Sequence, residues 1–120
     1  MKRQMRDFMG RRREDMAAEW ATERGWDILD RRRKTPRGEI DIVARAREEG
    51  GDCIVFAEVK WRQRAADLDT AIDQHRLSRV AAAVECVAHE YAQAGEDIRI
   101  DVILLAPGAP VRHIANAWQP

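Results

Sequence analysis

Asp41, Glu58 and Lys60, with Glu39 just ahead of them, are the residues of this chain whose types and spacing suit chemistry. Carboxylates brought to one point hold a hard divalent cation through oxygen, and an ammonium beside them can orient a water and offset charge on a phosphate. Such a group needs a scaffold that joins residues far apart in sequence. Residues 38–44 (Gly-Glu-Ile-Asp-Ile-Val-Ala) and 54–62 (Ile-Val-Phe-Ala-Glu-Val-Lys-Trp-Arg) supply one. Both are short, rich in β-branched and aromatic residues, and joined by Glu48-Glu49-Gly50-Gly51-Asp52, so they read as an antiparallel hairpin. Period-two alternation puts Ile40 and Ile42 on one face and Glu39 and Asp41 on the other, and it puts Glu58 and Lys60 together on the next strand. Taken singly, each charge has a plainer account as part of a solvated, ion-paired face of little energetic weight. Acids are disfavoured in strands, however, so their concentration on one hairpin points to a site.

The other elements must position that hairpin. Residues 1–13 are basic and read either as a solvated arm or as the first turns of a helix, with Arg11, Arg12 and Arg13 available to phosphate. Residues 14–24 place Met16, Ala17, Trp20 and Ala21 at helical spacing, and Gly25 stops the helix. A short strand at 26–30 leads into a cationic loop, Arg31-Arg32-Arg33-Lys34, and the turn Thr35-Pro36-Arg37-Gly38. After the hairpin, a polar segment from Trp61 through Arg62 to Leu68 precedes a helix expected from residue 69 or 70 to 94. Two strands follow, at 97–106 and 111–118, with an ion pair of Arg99 with Asp101 or with an acid of the hairpin expected on the first. The order predicts an α/β fold with one mixed sheet flanked by two helices, the long helix being the crossover that makes the following strand parallel.

Composition bounds the rest. A chain of 120 residues, 45% hydrophobic, buries one modest core, so residues 14–120 are expected to form a single domain behind the basic arm. The zero net charge hides an asymmetry: residues 1–37 hold 12 basic and 7 acidic side chains, and residues 38–60 hold 3 and 6. Of the 21 basic residues only Lys2, Lys34 and Lys60 are lysines. Arginine suits bidentate phosphate contacts, although a GC-rich genome gives the same excess. Cys53 and Cys86 form no CxxC, and His75, His89 and His113 lack zinc-ligand spacing. No stretch is apolar enough to span a membrane and residues 1–13 lack a signal-peptide core, so a cytoplasmic protein is expected.

Asp41 followed by Glu58-Val59-Lys60 resembles the PD-(D/E)xK signature of the restriction-endonuclease-like nucleases, with Ile40 in place of its proline. The longer strings 38–44 and 55–62, together with Arg99-Ile100-Asp101-Val102-Ile103, are similar to the YraN family of small bacterial proteins, which is regarded as nuclease-like and akin to archaeal Holliday junction resolvases. The similarity runs from about Glu14 to Trp118. It implies a restriction-endonuclease-like αβββαβ core and a Mg²⁺- or Mn²⁺-dependent endonuclease acting on DNA, branched DNA included. Asp41 and Glu58 would bind the cation with the Val59 carbonyl, Glu39 and Glu14 would assist, and Lys60 would act in catalysis. Arg31, Arg32, Arg33, Lys34, Arg37, Arg62, Arg76 and Arg79 would contact nucleic acid. Two positions depart from the family pattern: Arg32 stands where an asparagine is usual and Arg76 where a lysine is usual. The competing expectation is a non-catalytic nucleic-acid-binding module on the same fold, and an ion-paired structural hairpin is a third. A homodimer would suit a branched substrate.

Overall fold

Cys53–Trp61 (β3) explains the sheet. Its residues from Cys53 to Ala57 are buried without interruption, a run that only a central strand covered on both faces can satisfy. In the computed structural model, which describes residues 2–93 and 95–118 and the side chains from residue 12 onward, five strands lie in sequence order: Asp27–Thr35 (β1), Gly38–Ala46 (β2), β3, Asp97–Leu105 (β4) and Arg112–Ile114 (β5). The β3–β4 pair is parallel and the others are antiparallel. The crossover between β3 and β4 is a 3-10 turn, Ala65–Thr70, followed by helix α2, Gln74–Tyr91. Helix α1, Lys2–Glu23, covers the opposite face.

Alternation along β3 and β4 divides the core in two. Ile54, Phe56, Val102 and Leu104 pack with Leu77, Val80, Val84 and Val87 of α2, while Val55, Ala57, Ile103 and Leu105 pack with Ala17, Ala21 and Trp26. Full burial of each large apolar side chain contributes about 1.5–3 kcal/mol. The mixed sheet between two helices and the αβββαβ order expected from the sequence are thus observed, with β5 added at the edge. No helix among the described residues is long and apolar enough to cross a membrane.

Helix α1 stops as its sequence requires. Gly25 takes φ 87°, its N–H donates to the Thr22 carbonyl at 3.0 Å, and the Trp26 N–H reaches back to the Ala21 carbonyl at 3.1 Å. The helix starts at Lys2, so residues 2–13 are its first turns; the expected phosphate contact of Arg11 lies outside the described side chains.

Three expected boundaries differ. Arg31 to Lys34 are not a loop but the second half of β1, because pairing with β2 overrides their weak strand propensity. The long helix does not begin at residue 69 or 70: the 3-10 turn buries Leu68, and Asp73 then caps α2 by accepting the N–H groups of His75 (2.9 Å) and Arg76 (3.4 Å). The last strand is confined to Arg112–Ile114, since Asn116 turns the chain at φ 53° and the Ala117 N–H bonds the Ile100 carbonyl at 2.7 Å.

Candidate active site

The hairpin opens where its acids lie. β2 pairs with β3 only from Ile42↔Ala57 to Ala46↔Cys53, while β3 continues beside β4 as far as Trp61↔Leu105. Beyond Ile42 the two strands part, and the Asp41 carboxylate takes the place of the missing ladder bond: its Oδ2 accepts the Val59 N–H at 2.8 Å. The parting also breaks the alternation read from the sequence. Ile40 and Ile42 do not share a face; Ile40 packs on the α2 side and Ile42 on the α1 side.

Glu14 of α1 and Glu39 and Asp41 of β2 converge at this opening, each offering an oxygen within 4.8 Å of the others. Burial pushes the Asp41 carboxyl up to about 6; the Val59 N–H pulls it down, and the charges of Glu14, Glu58 and Glu39 push it further up. Burial also raises the Glu14 carboxyl, against the pull of Arg32. Glu14 Oε2 is buried and finds no hydrogen-bond donor among the described residues. A buried oxygen without a partner, in a set of hard oxygen donors that resist sharing charge, suits a divalent cation.

Glu58 is held differently. It is 5% exposed, accepts Arg76 Nε at 2.6 Å through Oε1, and has Lys60 Nζ 3.5 Å from the same oxygen. It borders the group electrostatically, through its effect on Asp41, but its carboxylate is turned to the two cations. The expected company of Glu58 and Lys60 on one side of β3 is observed. A cleft of about 330 Å³ joins Arg13, Glu14, Asp41, Val59, Lys60, Trp61, Arg62 and Arg76. The Val59 carbonyl lies on the strand edge whose amide donates to Asp41, the edge that β2 has left.

The cations named from the sequence divide by what they touch. Arg33 is committed to the fold: it grips Glu90 through both oxygens (3.1 and 2.8 Å) and donates to Tyr91 Oη, which in turn donates to Asp30 at 2.7 Å. Arg31 pairs with Asp15 at 2.5 Å, and Arg62 donates to the Trp61 carbonyl at 2.8 Å. Arg32 reaches toward Glu14 and Glu39. Lys34, Arg37 and Arg79 are exposed and make no ion pair among the described residues; Arg37, Arg76 and Arg79 line a second cleft with Glu39.

Sequence reasoning missed two features of the site. Arg13 stacks on Trp61, its guanidinium 4.5 Å from the ring centroid, at the cleft wall. Arg32 sits opposite Asp41, which the turn at Pro36-Arg37 could have revealed: a register beginning at Thr35↔Gly38 counts back to that pair.

Fold and site together define a small mixed α/β protein with three converging carboxylates at the opened end of its central hairpin and a cleft beside them lined by Lys60 and arginines. The chain belongs to the uncharacterised protein family UPF0102, whose model matches residues 13–105 and therefore spans every residue of the cleft. It is 62% identical to the UPF0102 protein of Erythrobacter litoralis and 51% identical to that of Sphingopyxis alaskensis, in each case over 120 residues and the full length of both chains. The UPF0102 protein of Caulobacter vibrioides is 37% identical over 111 residues, covering 92% of this chain and 86% of its own.

Proposed function

We propose that this chain is a divalent-cation-dependent phosphodiesterase that cuts nucleic acid, DNA being the expected substrate and branched DNA within its range. One observation carries the reading: Glu14, Glu39 and Asp41 converge at the opened hairpin end beside Lys60, within a rim of arginines. The likeness of the Asp41 and Glu58-Val59-Lys60 strings to the restriction-endonuclease-like nucleases and the YraN family agrees with it.

The carboxylates of Asp41, Glu14 and Glu39, with the Val59 carbonyl, would hold Mg²⁺ or Mn²⁺. The bound cation supplies charge neutralisation at the scissile phosphate and a more acidic water. Asp41 is fixed for this task by the Val59 N–H, which orients one oxygen and leaves the other free. Glu58 borders the group and holds the Lys60 ammonium near it, where Lys60 orients the attacking water and stabilises charge on the phosphate oxygens. Arg62, Arg76, Arg37 and Arg79 take the flanking phosphates, and Lys34 with Arg31 extends that track along β1. The cytoplasm is the expected compartment.

The test is cleavage of labelled single strand, duplex, flap, four-way junction and RNA with Mg²⁺, Mn²⁺ or EDTA. Metal-dependent cutting by the wild type that disappears in Asp41→Asn and in Lys60→Ala supports the assignment. Cutting that survives either substitution overturns it. A second reading, a non-catalytic nucleic-acid-binding module, is favoured by the lock of Arg76 on Glu58. In that case the panel gives salt-sensitive binding and no cleavage.

A further inference from the structure

Arg32 occupies the acidic site in a way that ordinary strand geometry would not allow. It lies opposite Asp41, between the pairs Arg31↔Ile42 and Arg33↔Ile40, yet its φ is 51°, in the left-handed region that side-chain-bearing residues enter at a cost. Its Nε stands 3.5 Å from Glu39 Oε1 and 3.7 Å from Glu14 Oε2. Both oxygens belong to the three convergent carboxylates.

Two further facts bear on what Arg32 does there. The contacts are longer than hydrogen bonds, so the guanidinium offsets charge while leaving Glu14 Oε2 without a donor. Its side chain is 44% exposed, at a cleft it shares with Arg31 and Lys34, so it can leave the carboxylates without breaking a packed core. A loosely held, half-solvated cation over carboxylates is a counter-ion that another cation can replace.

We propose that Arg32 is a tethered counter-ion which a divalent cation must displace, and that a nucleic-acid phosphate draws Arg32 outward, so that cation and nucleic acid bind cooperatively. A guanidinium and a divalent cation on the same carboxylates repel each other, and the cation therefore binds best when Arg32 has moved. A phosphate pairs with Arg32 only in the displaced position, and reciprocity follows: whatever nucleic acid does for the cation, the cation does for nucleic acid. The cooperative half rests on the nuclease or nucleic-acid-binding reading given above; the displacement half does not.

The experiment is Mn²⁺ binding to the full chain, read from the electron paramagnetic resonance of free Mn²⁺. It compares the wild type, Arg32→Asn and Arg32→Lys, with and without a short DNA oligonucleotide whose own Mn²⁺ uptake is measured separately. Asparagine tolerates a left-handed φ, so Arg32→Asn keeps the backbone, and thermal unfolding in EDTA checks this. Without DNA, Arg32→Asn is expected to bind Mn²⁺ about tenfold more tightly than wild type, with Arg32→Lys close to wild type. DNA is expected to tighten Mn²⁺ binding to the wild type severalfold and to leave Arg32→Asn nearly unchanged. Equal affinity of wild type and Arg32→Asn without DNA overturns displacement, as does the absence of Mn²⁺ binding in both. An equal effect of DNA on both proteins overturns the coupling. A tenfold gain in Arg32→Asn together with no cleavage of any substrate keeps the role of Arg32 and removes the nuclease; cleavage by wild type with unchanged affinity in Arg32→Asn does the reverse.

Discussion

Asp41 on β2 and Asp101 on β4 are both aspartates placed in strands and largely withdrawn from water, yet their surroundings are opposite. Asp101 is fully buried and answered on every side: Arg99 donates through Nε (2.8 Å) and Nη2 (3.0 Å), His113 Nε2 lies 2.6 Å away, and the Asn116 N–H donates at 2.9 Å. Burial alone would push its carboxyl up, but His113, Arg99 and the Asn116 amide together hold it below the ordinary value. Asp41 receives one amide, from Val59; the charges of Glu14, Glu58 and Glu39 oppose its ionisation, Arg76 acts on it only through the field, and no cation pairs with it directly among the described residues. A buried acid whose partners are supplied by the fold contributes to the fold. One surrounded by other acids works against the fold until something outside the chain compensates it, and this separates a structural charge from a site.

The largest expected effect lies on the structural side. Asp101→Asn leaves Arg99 buried against a neutral amide and should cost about 3–5 kcal/mol in urea unfolding at neutral pH. Because the folded carboxyl titrates below its unfolded value, its stabilisation is complete above about pH 4 and is lost as pH falls through the folded value. Asp101→Asn as stable as wild type would break the comparison.

Asp41→Asn should do the opposite. The folded carboxyl, at about 6, lies above its ordinary 3.8, so the folded state holds its proton longer and loses stability as pH rises between those values. In EDTA above pH 7 the substitution should therefore stabilise by about 3 kcal/mol, and the gain should vanish near pH 4. The amide oxygen still accepts the Val59 N–H. A plot of the difference against pH, from urea unfolding, gives the window directly, and a loss of stability at neutral pH would contradict it. Mg²⁺ at about a hundred times its dissociation constant should in turn stabilise wild type by about 2.7 kcal/mol and leave Asp41→Asn unmoved, a difference read from thermal unfolding.

Much of this was legible in the sequence because it rests on local pattern. The apolar run of β3, the Gly25 stop, the order of elements and the adjacency of Glu58 and Lys60 all follow from spacing and residue type. The Arg99–Asp101 pair was also expected, since residues two apart share a strand face. What could not be read depends on how elements meet. The parting of β2 from β3 beyond Ile42, the left-handed turn at Arg32 and the clamp of Arg76 on Glu58 arise from tertiary placement, to which periodicity is blind. The same holds for His113, which reaches Asp101 from β5 and packs against the contacting rings of Trp20 and Trp26, 5.0 and 5.4 Å from its own.

The smallest expected effect is the most discriminating. If the acids of the cleft destabilise one another, then Glu14→Gln should stabilise the metal-free protein at neutral pH, by less than Asp41→Asn does, because Arg32 already offsets part of the Glu14 charge. The double variant should then gain less than the sum of the single ones, since either substitution relieves the same repulsion, and the shortfall should be about 0.5–1 kcal/mol. Added salt should change the shortfall little, because ions outside the protein screen largely buried pairs poorly. Strict additivity in urea unfolding would mean that Glu14 and Asp41 do not sense each other, and the contrast between Asp41 and Asp101 would reduce to burial alone.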